Sequence, residues 1–338
     1  MPGPRVTLVA TGGTIAMTGS PAHPAVSAEE LVAAVPSLAE VAQIEVEQLS
    51  NVPGANLHPA AAAQAIAAAS RAVSEGGAAG AVIIQGTDTV EETSELADLV
   101  WGHDEPLAIT GAIRTGGTAG ADGPLNLLDA VLTVTSPASR GAGPLVVFDS
   151  VVHPAAEAVK SHSWRTDAFS SETPAGHVRE GELHLECAPA RPGRPVCTPE
   201  EAAVASLDAQ VPIVGAAAGM DSRPLDALRE HGAAALVVIS LGAGHLPATM
   251  LPGLDRALEA GLPVVLCARP ERGGTLARTY GSEGSETDLA RRGAILAGAA
   301  SAWKARIRVL LALALGRTPA TLFENEKGRL PAPLPEKS

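Results

Sequence analysis

Short runs of consecutive apolar residues recur along the first half of the chain, and alanine-rich stretches separate them. The expected elements are a strand at 6–11, a helix at 27–35, a strand at 44–49, a helix at 58–73, a strand at 81–84, a helix at 89–100, a strand at 106–110, a helix at 121–134 and a strand at 144–149. Most of the strand-like runs are continuously apolar, as in strands that are buried on both faces. The pattern therefore predicts an α/β fold whose mostly parallel sheet is flanked by helices.

Three of the expected helices carry signals at their first residues. Ser27 with Glu30 three residues later forms a capping-box pattern, and Thr89 with Glu92 repeats it. Pro59 stands at an early helical position, where its missing N–H leaves no intrahelical hydrogen bond unmade. We therefore expect helices to begin next to these residues.

A second series of the same kind occupies the last third of the chain. Strands are expected at 211–216, 235–240 and 263–268, with helices between them and an amphipathic helix at 301–315. The intervening segment is rich in proline and charge, which is typical of a linker. The sequence thus predicts an N-terminal domain over 1–190, a linker over 191–210 and a smaller C-terminal α/β domain over 211–338.

Composition narrows the range of functions. The net charge of −13 disfavours nucleic acid and anionic membranes as partners, because such binding needs clustered Lys and Arg. The three cysteines favour free thiols in a reducing compartment, and a Cys187–Cys197 disulfide stays open as the alternative. No apolar window is long enough for a membrane-spanning helix. We expect a cytoplasmic protein.

Several common motifs are absent or incomplete. The nine histidines show no metal-ligand spacing, and no glycine-rich segment has the spacing of a nucleotide-binding loop, so neither a metal nor a cofactor is expected. Ser301 and Lys304 match the S-x-x-K pattern of some acyl-transfer enzymes, but the companion motifs are missing. We expect a helix cap and a solvated lysine there.

Two strands run directly into turns that carry hydroxyl groups. Thr11-Gly-Gly-Thr14 follows the first strand, and Gly86-Thr87-Asp88 follows the strand at 81–84. In a parallel sheet, ligands bind outside the carboxyl ends of the strands, so both turns are expected to line one crevice. Glycine lets the backbone approach a ligand, and a threonine hydroxyl becomes a nucleophile when a neighbouring base activates it.

The two turn segments resemble the signature segments of the bacterial-type L-asparaginase family. They read ATGGTIA at 10–16 and QGTDTVEETS at 85–94. The resemblance continues in order through GAIRTGGTAGADGPLNLLDAV (111–131), AVKSHSWRTDAF (158–169) and SLGAGHL (240–246). It implies a cofactor-free amidohydrolase that converts L-asparagine and water into L-aspartate and ammonia, with weaker activity on glutamine. It also implies a homo-oligomer, usually a tetramer, whose active sites are completed by a neighbouring subunit.

The resemblance assigns the chemistry to four residues. Thr11 corresponds to the threonine that attacks the amide, and Thr87, Asp88 and Lys160 correspond to a second group that tunes a hydroxyl or a water molecule. Gly86 would let the substrate approach the backbone beside them. Which threonine forms the acyl-enzyme stays open at this point.

Further residues correspond to substrate contacts. Backbone N–H groups of Gly54 and Ala55 would bind the α-carboxylate, and the carbonyl of Ala112 would lie near the leaving amide. Glu286 of a partner subunit corresponds to a contact for the α-ammonium group, and Glu283 is the alternative for this position.

The sequence departs from the family pattern at the lid that follows the first signature. The family has a tyrosine there, but the stretch at 18–31 has none, and the only tyrosine of the chain is Tyr280. His245 also stands where the family often has asparagine. The missing tyrosine and an altered carboxylate pocket raise one alternative, an amino-acid-binding sensor of the same fold. A separate alternative is an amidase subunit that feeds ammonia to a tRNA-dependent transferase, and the strong negative charge speaks against it.

Overall fold

The computed structural model describes residues 3–18, 23–24, 26–187 and 195–324. The chain divides into two compact units, Met1–Val204 and Ala205–Ser338. Residues 191–194 of the predicted linker lie outside the described residues, and a helix at Pro199–Val204 lies within the remainder. The exact bounds of the predicted domains and linker stay a prediction.

The first unit contains an eight-stranded sheet and two short hairpins. Its strands are β1 (Arg5–Gly12), β2 (Met17–Thr18), β3 (His23–Pro24), β4 (Gln43–Val52), β5 (Gly80–Ile84), β6 (Leu107–Thr110), β7 (Pro144–Phe148), β8 (Val151–Pro154), β9 (Val159–Lys160), β10 (Phe169–Ser170), β11 (Gly176–Arg179) and β12 (Glu182–Leu185). The order in the large sheet is β12-β11-β8-β7-β6-β5-β1-β4. From β4 to β7 all neighbours pair in parallel, which confirms the predicted mostly parallel sheet. The antiparallel edge formed by β8, β11 and β12 was not predicted.

Helices cover both faces of this sheet. They are α1 (Ala28–Ala33), α2 (Leu38–Val41), α3 (Pro59–Ser74), α4 (Val90–Val100), α5 (Gly123–Thr135) and α6 (Pro199–Val204), with short 3-10 turns at Thr14–Ala16, Gly54–Asn56, Thr87–Thr89 and Pro137–Ser139. Successive side chains of a strand point to opposite faces. Leu8 and Val82 therefore join the buried cluster beneath α5, together with Val131. Helix α3 packs against β1 and β5, and α4 packs against β6 and β7.

The predicted helix starts have mixed outcomes. The capping box of Ser27 and Glu30 is confirmed, since the Ser27 hydroxyl accepts from the Glu30 N–H and the Glu30 carboxylate accepts from the Ser27 N–H. Pro59 stands in the first turn of α3 as expected. The prediction of a capping box at Thr89 is wrong. The Thr89 hydroxyl donates to the carbonyl of Gly54 at 3.2 Å instead of capping the helix.

The second unit is a smaller α/β structure, as predicted. Its four strands form one parallel sheet in chain order: β13 (Ile213–Gly215), β14 (Leu236–Ser240), β15 (Val264–Ala268) and β16 (Ile295–Leu296). Its helices are α7 (Arg223–Glu230), α8 (Leu251–Glu259), α9 (Glu286–Arg292) and α10 (Ala302–Ala314), with 3-10 turns at Ala248–Met250 and Pro319–Leu322. The core lies between the sheet and helices α7, α8 and α9, and it is built from leucine, valine and alanine together with Met250.

Helix α10 shows where a local pattern fails. Ser301 caps it by accepting from the Lys304 N–H, as predicted. The prediction that Lys304 is solvated is wrong, because this residue is only 2% exposed. Helix α10 packs against β13, β14 and β15 and against the last 3-10 turn, so most of its circumference is covered.

Two further observations concern the cysteines and membrane spans. Among the described residues no disulfide joins Cys187 to Cys197, and burial raises the pKa of the Cys267 thiol to about 12. None of the helices in the described ranges combines the length and apolar character needed to cross a bilayer.

Candidate active site

The two hydroxyl-bearing turns meet at the carboxyl ends of adjacent strands. Strand β1 lies between β4 and β5, so the chain leaves it in one direction and later returns on its other side. Such a reversal opens a crevice at the strand ends. The turns that follow β1, β4 and β5 contain Thr11, Gly54 and Thr87.

Thr11 ties the three strand ends together. Its hydroxyl donates to the carbonyl of Ile84 on β5 at 3.2 Å, and its own carbonyl accepts from the Ser50 hydroxyl on β4 at 2.9 Å. The side chain is almost fully buried. A hydrogen bond to a backbone carbonyl therefore holds the hydroxyl at the carboxyl end of β1.

Glycines allow the three turns to approach each other closely. A Cβ atom added to Gly86 would lie 2.4 Å from Cα of Gly54, and one added to Gly13 would lie 2.3 Å from N of Gly86. Gly13 also has a φ of 95°, which favours glycine. Any larger residue at these positions would force the turns apart. Contact between Gly13 and Gly86 thus brings the first predicted signature against the second.

Lys160 joins Thr87 and Asp88 in one hydrogen-bonded group. Its Nζ donates to Oγ1 of Thr87 at 2.9 Å and to Oδ1 of Asp88 at 3.1 Å. Lys160 lies on β9, and its backbone N–H donates to Oε1 of Glu91 on α4 at 3.1 Å. Thr87 is buried, the Lys160 side chain is 17% exposed, and that of Asp88 is 59% exposed. The group therefore extends from a buried hydroxyl to a carboxylate in contact with solvent.

A second loop, which follows β6, is fixed by two residues that the sequence analysis did not single out. The Asp122 carboxylate accepts from the backbone N–H groups of Ile113 at 2.9 Å and Arg114 at 2.8 Å. Asn126 donates from Nδ2 to the carbonyl of Gly111 at 3.0 Å. These bonds hold the backbone on both sides of Ala112, which is fully buried. The signal available from sequence was an Asp and an Asn four residues apart at the start of the predicted helix.

The remaining predicted contact residues differ in exposure. Gly54 is buried and Ala55 is exposed in the 3-10 turn after β4, where the Gly54 carbonyl accepts from Thr89. Glu286 lies in the second unit, fully buried, at the start of α9, whereas Glu283 is exposed. The predicted lid lies partly outside the described residues, at 19–22 and 25.

Backbone N–H groups serve as the hydrogen-bond donors to Glu286. Its Oε1 accepts from the N–H of Thr279 at 2.7 Å and from that of Tyr280 at 2.8 Å. Burial alone would raise the pKa of Glu286, but these two hydrogen bonds, together with its own backbone N–H and the nearby His245 side chain, outweigh it and hold the pKa below the ordinary value of a glutamate. The side chain is therefore a permanent anion near neutral pH.

No group of three or more His, Cys, Asp or Glu side chains that could hold a metal ion occurs within the ranges the structure covers. The polar groups gathered at the crevice are instead two hydroxyls, an ammonium group and a carboxylate. Such a set can supply a nucleophile, move a proton and bind a charged small molecule.

Comparison with known proteins identifies the family. A family model described as "Asparaginase, N-terminal" matches residues 5–191, and one described as "Glutaminase/Asparaginase C-terminal domain" matches residues 210–324. The chain is 31% identical over 324 residues to L-asparaginase 2 of Escherichia coli (strain K12), covering 94% of this chain and 90% of that relative. It is 34% identical over 318 residues to a probable L-asparaginase of Deinococcus radiodurans, covering 93% and 94%.

A solved structure agrees with the sequence matches. The structure of a probable cytoplasmic L-asparaginase from Campylobacter jejuni superposes with a TM-score of 0.84 at 28% identity, covering 96% of this chain and 99% of that one. Both family models and the relatives span nearly the whole described chain. The protein therefore belongs to the bacterial-type asparaginase family.

Proposed function

We propose that this protein is an L-asparaginase, an amidohydrolase that converts L-asparagine and water into L-aspartate and ammonia. The observation that carries the proposal is the hydrogen-bonded group of Thr87, Lys160 and Asp88, beside the turn that presents Thr11. The relatives in Escherichia coli and Deinococcus radiodurans, an L-asparaginase and a probable L-asparaginase, support the same substrate.

In the proposed first step, Oγ1 of Thr11 attacks the side-chain amide carbon. A bond forms between that oxygen and the carbon, the carbon–nitrogen bond breaks, and the hydroxyl proton leaves with the departing ammonia. Thr11 donates to the carbonyl of Ile84 in the free protein, so it must exchange that acceptor for one in the complex. A hydroxyl needs such an acceptor to become an effective nucleophile.

In the proposed second step, water hydrolyses the aspartyl ester and frees Thr11. The Thr87 hydroxyl and the Lys160 side chain take the proton from the water and return it to Thr11. Asp88 accepts a hydrogen bond from Lys160 at 3.1 Å, so it stabilises the ammonium form whenever the lysine carries the extra proton.

The substrate's charged ends would meet opposite partners. Backbone N–H groups of Gly54 and Ala55 would bind the α-carboxylate, and the Ala112 carbonyl would accept from the amide nitrogen. The α-ammonium would meet Asp88, which is the exposed end of the hydrogen-bonded group, and Glu286 of the partner subunit. Asp122 and Asn126 support this arrangement by fixing the loop that carries Ala112.

The proposal includes a homo-oligomer with shared active sites, a tetramer by analogy with the family, and a cytoplasmic location. The Campylobacter jejuni protein is a probable cytoplasmic L-asparaginase, which supports the location. Weak glutaminase activity is also proposed, in line with the description of the matched C-terminal model. The intact hydrogen-bonded group argues against the binding-sensor alternative, since a sensor has no need of it.

Ammonia release from purified protein tests the proposal. Wild type should release ammonia from L-asparagine faster than from L-glutamine, and Thr11→Ala and Thr87→Val should each lose nearly all activity. Thr321→Val is the matched control, because this exposed hydroxyl bonds only to a nearby backbone carbonyl in the second unit. No ammonia from L-asparagine, or full activity in Thr11→Ala, would contradict the proposal.

A further inference from the structure

One oxygen of the buried Glu286 carboxylate has no donor. Whereas Oε1 accepts two backbone hydrogen bonds, Oε2 is buried and has no hydrogen-bond partner. Nε2 of His245, a ring nitrogen that carries positive charge when the imidazole is protonated, lies 3.3 Å from this oxygen. That nitrogen is also buried and without a hydrogen-bond partner, so the pair is within ion-pair distance but not at hydrogen-bond geometry. Leaving a buried carboxylate oxygen without a donor is costly.

The loop that carries His245 packs closely against Glu286. The backbone of His245 closes a tight turn with Leu241 through hydrogen bonds of 2.8 and 2.9 Å. Within this turn Gly244 has a φ of 120°, and a Cβ atom there would lie 3.3 Å from Cβ of Glu286. The close approach of the imidazole to the carboxylate therefore follows from a glycine-dependent backbone.

The surroundings of the imidazole leave one other titratable neighbour. Tyr280, in the segment before α9, packs edge-on against the ring with centroids 4.8 Å apart. Among the described residues, Glu286 from α9 and Tyr280 are the titratable groups in contact with His245. Of these two groups Glu286 is the one held as an anion, so the charge that acts on the ring near neutral pH is that of its carboxylate.

We propose that the imidazole of His245 covers Oε2 of Glu286, and that protonation of this ring competes with a substrate's ammonium group for that oxygen. His245 is 34% exposed, so the ring can turn outward, whereas Glu286 is fully buried and held by backbone. When the ring is charged it pairs with Glu286 and closes the site. When the ring is neutral, an ammonium group can displace it and donate to Oε2. This inference rests on the proposed function, in which Glu286 receives the α-ammonium.

The expected signature is an effect of pH on KM rather than on kcat. Glu286 stays ionised across the range because its pKa is lowered, so only the ring changes charge. Histidine is the side chain that changes charge between about pH 5 and about pH 8, so full competition would raise KM about tenfold between about pH 8 and about pH 5.5.

The test compares KM and kcat for L-asparagine over this pH range in wild type, His245→Asn and His184→Asn. Asparagine keeps a polar side chain that does not titrate, so the KM of His245→Asn should be lower than that of wild type at the acidic end and similar at the alkaline end. His184 is exposed on β12, and its identical replacement should leave the wild-type profile unchanged. In a Glu286→Gln background, His245→Asn should have no pH-dependent effect.

The outcomes separate the inference from the proposed function. If wild type hydrolyses asparagine but its KM relative to His245→Asn is constant with pH, the inference is wrong and the proposed function stands. The inference is equally wrong if only kcat changes with pH. If wild type hydrolyses no asparagine at any pH, the proposed function fails, and the inference fails with it.

Discussion

Asp88 in the first unit and, from a partner subunit, Glu286 in the second unit are both proposed to meet the substrate's α-ammonium, and the protein holds these two carboxylates in different ways. Asp88 is more than half exposed and pairs with the movable side chain of Lys160. Glu286 is fully buried and takes its donors from the backbone of Thr279 and Tyr280. A side-chain partner can gain or lose a proton during a reaction, whereas a backbone N–H cannot. The first arrangement therefore suits proton transfer, and the second suits a fixed anion that binds a cation.

Removing the movable partner should have the largest effect. Lys160→Met deletes the hydrogen bonds to Thr87 and Asp88, so kcat for L-asparagine should fall by about a hundredfold to ten-thousandfold. Stability should change little, because Asp88 is exposed and can be solvated. Steady-state kinetics and a melting curve check both parts. A variant that is fully active, or one that unfolds, would break the contrast with Glu286.

Forcing the turns apart should damage both stability and activity. In Gly86→Ala the new Cβ would lie 2.4 Å from Cα of Gly54, so the backbone must shift. Overpacking of this kind costs about 1–3 kcal/mol, measurable as a lower midpoint in urea. Gly117→Ala is the control, since a Cβ there meets nothing within 4 Å. Equal stability of the two variants would show that the close contact of the turns does not matter.

Neutralising the fixed carboxylate should destabilise the protein in a pH-dependent way. A lowered pKa means that Glu286 stabilises the fold above the pKa of an unfolded glutamate, and that this stabilisation is lost as the pH falls through the lower, folded pKa. Glu286→Gln should therefore cost about 1.5–3 kcal/mol near neutral pH, since its hydrogen bonds are to a charged group. The deficit should shrink in acid.

Denaturant unfolding at several pH values measures this deficit. Glu283→Gln is the control, because Glu283 is exposed close by in the same segment. A deficit that is constant with pH, or one that is equal in the two variants, would contradict the assigned role of the backbone donors.

The smallest expected effect concerns the hydrogen bond between the turn after β4 and the turn after β5. Thr89→Val removes the hydrogen bond from Thr89 to the Gly54 carbonyl, which should cost about 0.5–1.5 kcal/mol. KM for L-asparagine should rise slightly as the Gly54 turn loosens. Thr89→Ser keeps a hydroxyl and should retain the wild-type stability and KM. Unchanged stability in Thr89→Val would mean that packing of the glycines alone holds the turns.

Much of the fold follows from sequence, because strands buried on both faces leave a clear apolar signal. The parallel strands β1, β5 and β6 and their helices were predicted in this way. The antiparallel edge was missed, since β8, β11 and β12 are each only 4 residues long and the polar residues of β11 and β12 alternate with apolar ones. Short strands at an edge give too few residues for a periodicity.

The site was less predictable than the fold. The turns with Thr11 and Thr87 could be found from the residues, because strand ends and glycines mark a crevice. Lys160 could not, since it is 73 positions from Thr87 and lies on a two-residue strand. Only the family resemblance pointed to it. Thr89 shows the opposite error: its local pattern favoured a helix cap, and a tertiary contact with Gly54 prevailed.

The two turns are proposed to divide the work, with Thr11 forming the ester and the Thr87–Lys160 pair moving protons. A rapid-quench experiment tests this division: protein is mixed with L-asparagine, quenched in acid within the first turnovers, and searched for a covalent adduct by peptide mass spectrometry. Lys160→Met is included because slower hydrolysis should let the ester accumulate. We expect an aspartyl ester on the peptide that contains Thr11. An adduct on Thr87 instead, or rapid turnover in Thr11→Ala, would contradict the proposed division.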